Sequence, residues 1–117
     1  MKKIYYILLV MLFGACTSHT FEDISEDPVI IEEDVTYTTN VKQIIDGNCV
    51  SCHAPGQTAS FRPLTTYAEV KTAVENTNLL DRIQRQNGEG GLMPTSGRMP
   101  QNTIDIILQW NTDGLQE

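Results

Sequence analysis

The chain has 117 residues, which is enough for one small domain and little else. Its net charge is −7, and the lack of a basic stripe argues against nucleic acid as a partner. The acidity is concentrated in residues 17–36, which hold seven acidic residues and no basic one, whereas residues 37–117 hold eight acidic and six basic residues. The negative charge therefore belongs to a linking segment rather than to a binding face.

Residues 1–15 have the pattern of a signal peptide. Two lysines precede an apolar run over residues 4–13, which is too short to span a bilayer comfortably, and small residues then lead into Cys16. The pattern resembles a bacterial lipoprotein signal, although Phe13 occupies a position where that pattern prefers leucine. It implies cleavage before Cys16 and a diacylglycerol group on the Cys16 sulfur, which would also account for the odd third cysteine. The alternative is an ordinary secretory signal with an incidental cysteine.

Residues 16–36 are predicted to form a lipidated, acidic and flexible tether. Charge is dense, Pro28 interrupts the segment, and no helical apolar stripe is present. The short apolar run at residues 29–31 is compatible either with a strand or with packing against the domain. We expect His19 to be solvated, because a long loop would have to close to bring it to a metal in the domain.

The folded domain is predicted to span residues 37–117 and to begin with a helix over residues 40–46. Asn40 followed by Gln43 is a capping pattern, and Gly47 is expected to end the helix. The apolar residues of this helix have helical spacing: Val41, Ile44 and Ile45. The helix would therefore deliver its C-terminal end to Cys49.

The sequence Cys49-Val50-Ser51-Cys52-His53 is typical of a covalent haem attachment site. On a helical turn, residues i, i+3 and i+4 share a face, so Cys49, Cys52 and His53 would point to the same side. The two sulfurs would form thioether bonds to the vinyl groups of one haem c, and the imidazole would be the proximal iron ligand. Export agrees with this interpretation, since thioether attachment of haem takes place outside the cytoplasmic membrane.

Two other interpretations of Cys49 and Cys52 are less favoured. A redox dithiol with this spacing occurs beside a strand–helix–strand pattern, which does not surround the pair. A structural zinc site needs four ligands, usually as two separated pairs. The remaining cysteine and histidine, Cys16 and His19, lie far upstream in different surroundings.

Three more helices are predicted after a loop that follows the motif. Thr66 and Glu69 form a capping box at the start of a helix over residues 66–76, and Asn78 is expected to cap a second, short helix. A last helix is predicted over residues 101–112. It carries apolar residues at helical spacing, namely Ile104, Ile107, Leu108 and Trp110.

Arg82 and Arg85 lie on the short helix. They are either solvated or in contact with a haem propionate, since a guanidinium suits carboxylates. The glycine-rich stretch at residues 87–91 resembles a phosphate-binding loop, but no strand precedes it and no Gly-Lys-Ser/Thr follows, so that interpretation is discarded. We expect its glycines to let the backbone run close to a flat ligand.

Two methionines, Met93 and Met99, are candidates for the iron ligand opposite His53. No second histidine lies in residues 37–117, and the soft thioether of methionine is the expected ligand in an electron carrier. Either methionine is alternatively a core residue. Met93 is favoured because it follows the glycine-rich stretch, whereas Met99 lies at the entrance of the last helix, where an apolar residue is useful.

The order of these elements resembles a class I c-type cytochrome, and in particular the small bacterial cytochrome c-like domains that end in a Met-Pro-x-Gly-Gly segment and a helix with tryptophan. The resemblance covers residues 37–115 and depends on residues 49–53, on the Met-Pro-Thr-Ser-Gly stretch at 93–97 and on Trp110. The chain departs from the family pattern at Thr95 and Ser96, and in a second Met-Pro at residues 99–100.

This resemblance implies an all-α fold in which about four short helices pack around a covalently bound haem. The first and last helices would cross beside the haem edge. The resemblance supports Met93 as the distal ligand, and it implies that a proline carbonyl orients the ligand histidine, for which Pro63 is the candidate. A domain of roughly 80 residues has a thin core by itself, so we expect the haem-free chain to be poorly folded.

These inferences predict a single-electron carrier with one haem c. With His53 and Met93 at both axial positions, no substrate would reach the iron, so we expect neither enzymatic activity nor a small-molecule substrate. The expected partners are redox proteins at a membrane surface and, through Cys16, the periplasm-facing side of the inner or outer membrane of a bacterium. The alternatives are a haem-based sensor or ligand-binding module with a weak or open distal position, and the cytochrome subunit of a larger respiratory complex.

Overall fold

The computed structural model describes residues 33–117, and this part of the chain is all-α. A π-helical turn, Tyr37–Val41, leads directly into α1, Lys42–Asn48, which is followed by α2, Tyr67–Asn76, α3, Leu79–Gln84, and α4, Gln101–Thr112. Within residues 33–117 no strand occurs, which confirms the predicted helical class.

The predicted signal peptide, Cys16, His19 and the tether up to residue 32 lie outside the described residues. Among the helices of residues 33–117, none combines the length and the hydropathy needed to span a membrane.

The first helical segment begins three residues before the predicted Asn40. The hydroxyl of Thr36 accepts a hydrogen bond from the Thr39 amide at 3.3 Å, and the side-chain oxygen of Asn40 accepts one from the Thr36 amide at 3.1 Å. Asn40 therefore caps the helix from inside its first turn, in a reciprocal arrangement related to the capping box. Gly47 does not end α1, which continues for one more residue.

The folded part also begins earlier than the predicted boundary at residue 37. Val35, placed by the sequence in the tether, is completely buried, and its amide donates to Asp113 Oδ2 at 3.0 Å. The amide of Tyr37 donates to the carbonyl of Gln116 at 2.9 Å. The two ends of the domain thus bind each other, and Val35, predicted as tether, is part of the core.

The later helices follow the predictions closely. At the start of α2, the Thr66 hydroxyl accepts from the Glu69 amide at 3.3 Å, and the Glu69 carboxylate accepts from the Thr66 amide at 3.0 Å, which confirms the capping box. Asn78 is the N-cap residue of α3 as expected, but its side chain makes no capping hydrogen bond, and the hydroxyl of Thr77 accepts from the Leu79 amide at 3.2 Å instead. α4 has the predicted bounds.

Two clusters of apolar side chains form the core. The larger lies where the π-helical turn, α1 and α2 meet the end of α4, and it contains Val35, Tyr37, Val41, Ile45, Leu64, Val70, Val74, Trp110 and Leu115. The smaller joins α1, α3 and α4 through Ile44, Ile83, Met99, Ile104 and Ile107. The apolar stripes of the first and last helices therefore pack in these clusters as predicted, with Leu108 only partly buried at the edge of the smaller one.

We expect the capping box of α2 to make stability depend on pH. Hydrogen bonds to Glu69 from the hydroxyl and the amide of Thr65 and from the Thr66 amide stabilise the carboxylate and hold the pKa of Glu69 below its ordinary value. A lowered pKa contributes stability above the unfolded-state value, and that contribution is lost as the pH falls through the folded-state value. Glu69→Gln should therefore flatten the loss of unfolding free energy on acidification below about pH 5. Urea titrations at several pH values measure the unfolding free energy. Glu75→Gln, an exposed change on the same helix, is the control and should parallel the wild type. An unchanged acid dependence in Glu69→Gln would contradict the prediction.

Candidate cofactor site

The Cys49–His53 motif forms one further helical turn at the end of α1. The amide of Cys49 donates to the carbonyl of Ile45 at 2.8 Å, and the carbonyl of Cys49 accepts from the amides of Cys52, at 3.1 Å, and His53, at 2.9 Å. This turn brings Cys49, Cys52 and His53 to the wall of one cavity. The structure therefore places them together, as their spacing predicts.

The cavity has a volume of about 280 Å³ and lies between the end of α1, residues 58–64, the α2–α3 corner and residues 93–96. Apolar side chains from four segments contribute to its wall: Ile45, Leu64, Ala73, Leu79 and Ile83. Of the described residues that line it, none is acidic, whereas two arginines do so, Arg62 and Arg82. An apolar cleft with two cations in its wall suits a flat apolar group that carries carboxylates.

The ring of His53 is held in one tautomer by a backbone carbonyl. Its Nδ1 lies 2.8 Å from the carbonyl oxygen of Arg62. A carbonyl only accepts hydrogen bonds, so Nδ1 carries the proton and Nε2 keeps its lone pair. This is the arrangement that prepares a histidine to bind a metal through Nε2.

The carbonyl that holds His53 belongs to Arg62, so the prediction of the Pro63 carbonyl is wrong by one residue. The amides of Ala59 and Leu64 donate to the carbonyls of Cys52, at 2.9 Å, and His53, at 2.8 Å, and return the loop onto the motif. With these two hydrogen bonds in place, the carbonyl of Arg62, the residue before Pro63, faces the imidazole of His53. The role of Arg62 was missed because it belongs to the main chain, which residue type does not reveal.

The two candidate methionines lie in different surroundings. Met93 lines the cavity, together with Pro94 and the departures from the family pattern, Thr95 and Ser96. Met99 is only 3% exposed and packs in the smaller core cluster at the entrance of α4. Met99 is thus an apolar core residue at the helix entrance, and Met93 is the methionine that reaches the cavity.

Arg82, on α3, and Arg85, the residue that follows α3, have different surroundings. Arg82 lines the cavity, and its Nε donates to the carbonyl of Gly91 at 3.0 Å. Arg85 does not line it, and its guanidinium instead binds Asp81 Oδ2, with Nε at 3.1 Å and Nη2 at 2.5 Å, and the carbonyl of Gly90. The structure thus brings Arg82 to the cavity and directs Arg85 to other partners.

The thiol of Cys49 lies in surroundings that disfavour its charged, thiolate form. Burial raises the pKa of Cys49 to about 11, so the residue is a neutral thiol at pH 7. The attacking cysteine of a dithiol oxidoreductase needs the opposite shift, because the thiolate is the nucleophile. The raised pKa therefore argues against Cys49 as the attacking thiol of such a pair.

The donors at the cavity fit a covalently bound haem. They comprise the thiols of Cys49 and Cys52, the free Nε2 of His53 and the thioether of Met93. Within residues 33–117, no group of three or more His, Cys, Asp or Glu side chains is arranged to hold a metal ion. Comparison of the chain with protein-family models, with curated proteins and with solved structures found no match.

Proposed function

We propose that the chain is a membrane-tethered, single-haem c-type cytochrome that carries single electrons outside the cytoplasm. The observation that supports this most is the convergence of Cys49, Cys52, His53 and Met93 on one cavity with apolar walls. Residues 49–53 alone suggest attachment of a haem. The presence of Met93 in the same cavity adds the second axial ligand that an electron carrier requires.

Each residue of the site has a separate role in this proposal. Cys49 and Cys52 hold the haem through thioether bonds, and His53 binds the iron through Nε2, with its ring direction set by the Arg62 carbonyl. Met93 would supply the second iron ligand, and its soft sulfur would stabilise the reduced state. When bound, the haem supplies a reversible one-electron change at its iron.

The arginines give the cavity its charge. Arg82 and Arg62 are the cationic residues among the described residues of its wall, and a haem propionate is the anion that they suit. The absence of acidic side chains from the same described wall avoids repulsion of that anion.

The axial ligands of the iron determine whether the proposed protein is an electron carrier or a catalyst. If His53 and Met93 fill both axial positions, no substrate binds the iron, so the proposed activity is transfer of electrons between partner proteins and not a reaction at the haem. The proposal of a lipid at Cys16 rests on the signal pattern of residues 1–16. Such an anchor would hold the domain near redox proteins of the membrane at a high local concentration.

Two variants test the proposal when the chain is produced in cells that export it and attach haem covalently. Cys49→Ser/Cys52→Ser should yield a protein without covalently bound haem, because both thioether bonds are removed. Cys16→Ser should keep the haem but lack the added mass of the lipid, because the sulfur that accepts the lipid is removed. Mass spectrometry and haem absorbance after acid extraction measure both results. Covalent haem in the double variant, or none in the wild type, would rule out the proposed site.

A further inference from the structure

Arg82 holds the segment that leads to Met93 through two separate hydrogen bonds. Its side-chain Nε donates to the carbonyl of Gly91 at 3.0 Å, and its own backbone carbonyl accepts from the amide of Met93 at 3.1 Å. One residue of α3 thus fixes the chain two positions before Met93 and at Met93 itself.

Arg85, the residue directly after α3, supports the same segment. Asp81 anchors its guanidinium through the Nε and Nη2 contacts with Oδ2, and Nη1 donates to the carbonyl of Gly90. The carbonyls of Gly90 and Gly91 are therefore each bound by a different arginine. A planar guanidinium is suited to this, because its donors have fixed directions.

Gly91 is fitted to the two guanidinium groups. Its φ is +83°, which lies in the left-handed region that favours glycine. A Cβ at this position would overlap Arg85 Nη1 and would lie 3.3 Å from Arg82 Nη2. Gly91 therefore lets the arginines approach the backbone, whereas a Cβ at Gly88 or Gly90 would meet nothing within 4 Å.

We propose that Arg82 is the positioning residue for the distal ligand: by binding Gly91 and Met93 together, it keeps the Met93 side chain at the wall of the cavity. Arg85 has a supporting part, since it holds only the carbonyl of Gly90. The inference rests on the proposed function, because a positioned thioether matters only if a haem iron is there to accept it. The positioning role adds to the contact with a haem propionate that was predicted for Arg82. That contact requires only the positive charge of the side chain.

The test is competition between imidazole and the Met93 thioether in the purified ferric holoprotein. Arg82→Lys keeps the charge but lacks the Nε donor, and Arg82→Gln removes both. Both variants should bind imidazole about tenfold more tightly than the wild type, equivalent to about 1.4 kcal/mol, and should show a weaker thioether-to-iron charge-transfer band. Arg85→Gln should show a smaller shift in the same direction.

Lys42→Gln is the charge-matched control, because it removes one positive charge from an exposed pair with Asp46 on α1. It should leave imidazole affinity as in the wild type. Helical ellipticity and haem content identify a variant that has not folded; if Arg82→Gln does not accumulate, Arg82→Lys carries the test. Wild-type imidazole affinity and band in both Arg82 variants would overturn the positioning role while leaving the cytochrome proposal intact. A wild type without covalent haem would overturn both.

Discussion

Met93→Ala is expected to abolish the thioether-to-iron band of the ferric protein and to convert the iron from low spin to a high-spin or water-ligated state. The physical reason is loss of the thioether of Met93, the one methionine among the described residues that line the cavity with His53. Met93 lines the cavity, so its truncation should leave the core clusters intact. The reduced variant should bind carbon monoxide readily, because the sixth position is then open. Absorbance, electron paramagnetic resonance and carbon monoxide titration of the holoprotein measure these changes.

Met99→Ala is the matched control, because it makes the same truncation at the other Met-Pro. Met99 is 3% exposed in the cluster with Ile44 and Ile104, so we expect the band to remain and the unfolding free energy to fall by about 2–5 kcal/mol. Loss of the band in Met99→Ala and its retention in Met93→Ala would reverse the ligand assignment. Rapid carbon monoxide binding by the reduced wild type would instead favour the sensor alternative.

Trp110→Ala is expected to cost about 3–5 kcal/mol of unfolding free energy. The side chain of Trp110 is completely buried, and its ring centroid lies 5.8 Å from that of Tyr37 and 6.4 Å from that of Tyr67. Its Nε1–H donates to the carbonyl of Gln116 at 2.7 Å, a contact that holds the C-terminal end against α4. Truncation would therefore remove apolar burial, aromatic contacts and a hydrogen bond together.

Two further variants separate these contributions in guanidinium unfolding of the holoprotein. Trp110→Phe keeps an aromatic ring but removes the donor to Gln116, so we expect an intermediate loss of about 1–3 kcal/mol. Phe61→Ala removes an aromatic ring that is 78% exposed, and its effect should stay within about 0.5 kcal/mol. A large loss in Phe61→Ala, or none in Trp110→Ala, would contradict this description of the core.

Helix positions followed from the sequence where local signals agree. The Thr66–Glu69 capping box and the spacing of Ile104, Ile107 and Trp110 combine a terminus signal with an apolar period, and α2 and α4 have nearly the predicted bounds. The first segment was placed less well, since Asn40 resembles an N-cap residue but acts from inside the first turn. The burial of Val35 was not predicted, because its contact with the distant Asp113 is a tertiary contact without a local sequence signal.

The candidate site could be predicted from side chains but not from the main chain. Cys49, Cys52 and His53 are joined by helical spacing, and the structure brings Met93 to the same cavity. The contact of the Arg62 carbonyl with His53 depends on the path of the chain between these two residues, which composition does not determine. For the same reason the sequence left Arg85 as either solvated or in contact with a propionate, and did not predict its contact with the carbonyl of Gly90.

The most direct test of the central claim is the intact mass of the native, mature protein, measured with its ferric and ferrous absorbance. We predict a polypeptide that begins at Cys16 and carries a lipid and one covalently bound haem, with a low-spin ferric spectrum that contains the thioether-to-iron band. Unmodified thiols at Cys49 and Cys52, in a protein without haem absorbance, would contradict the account.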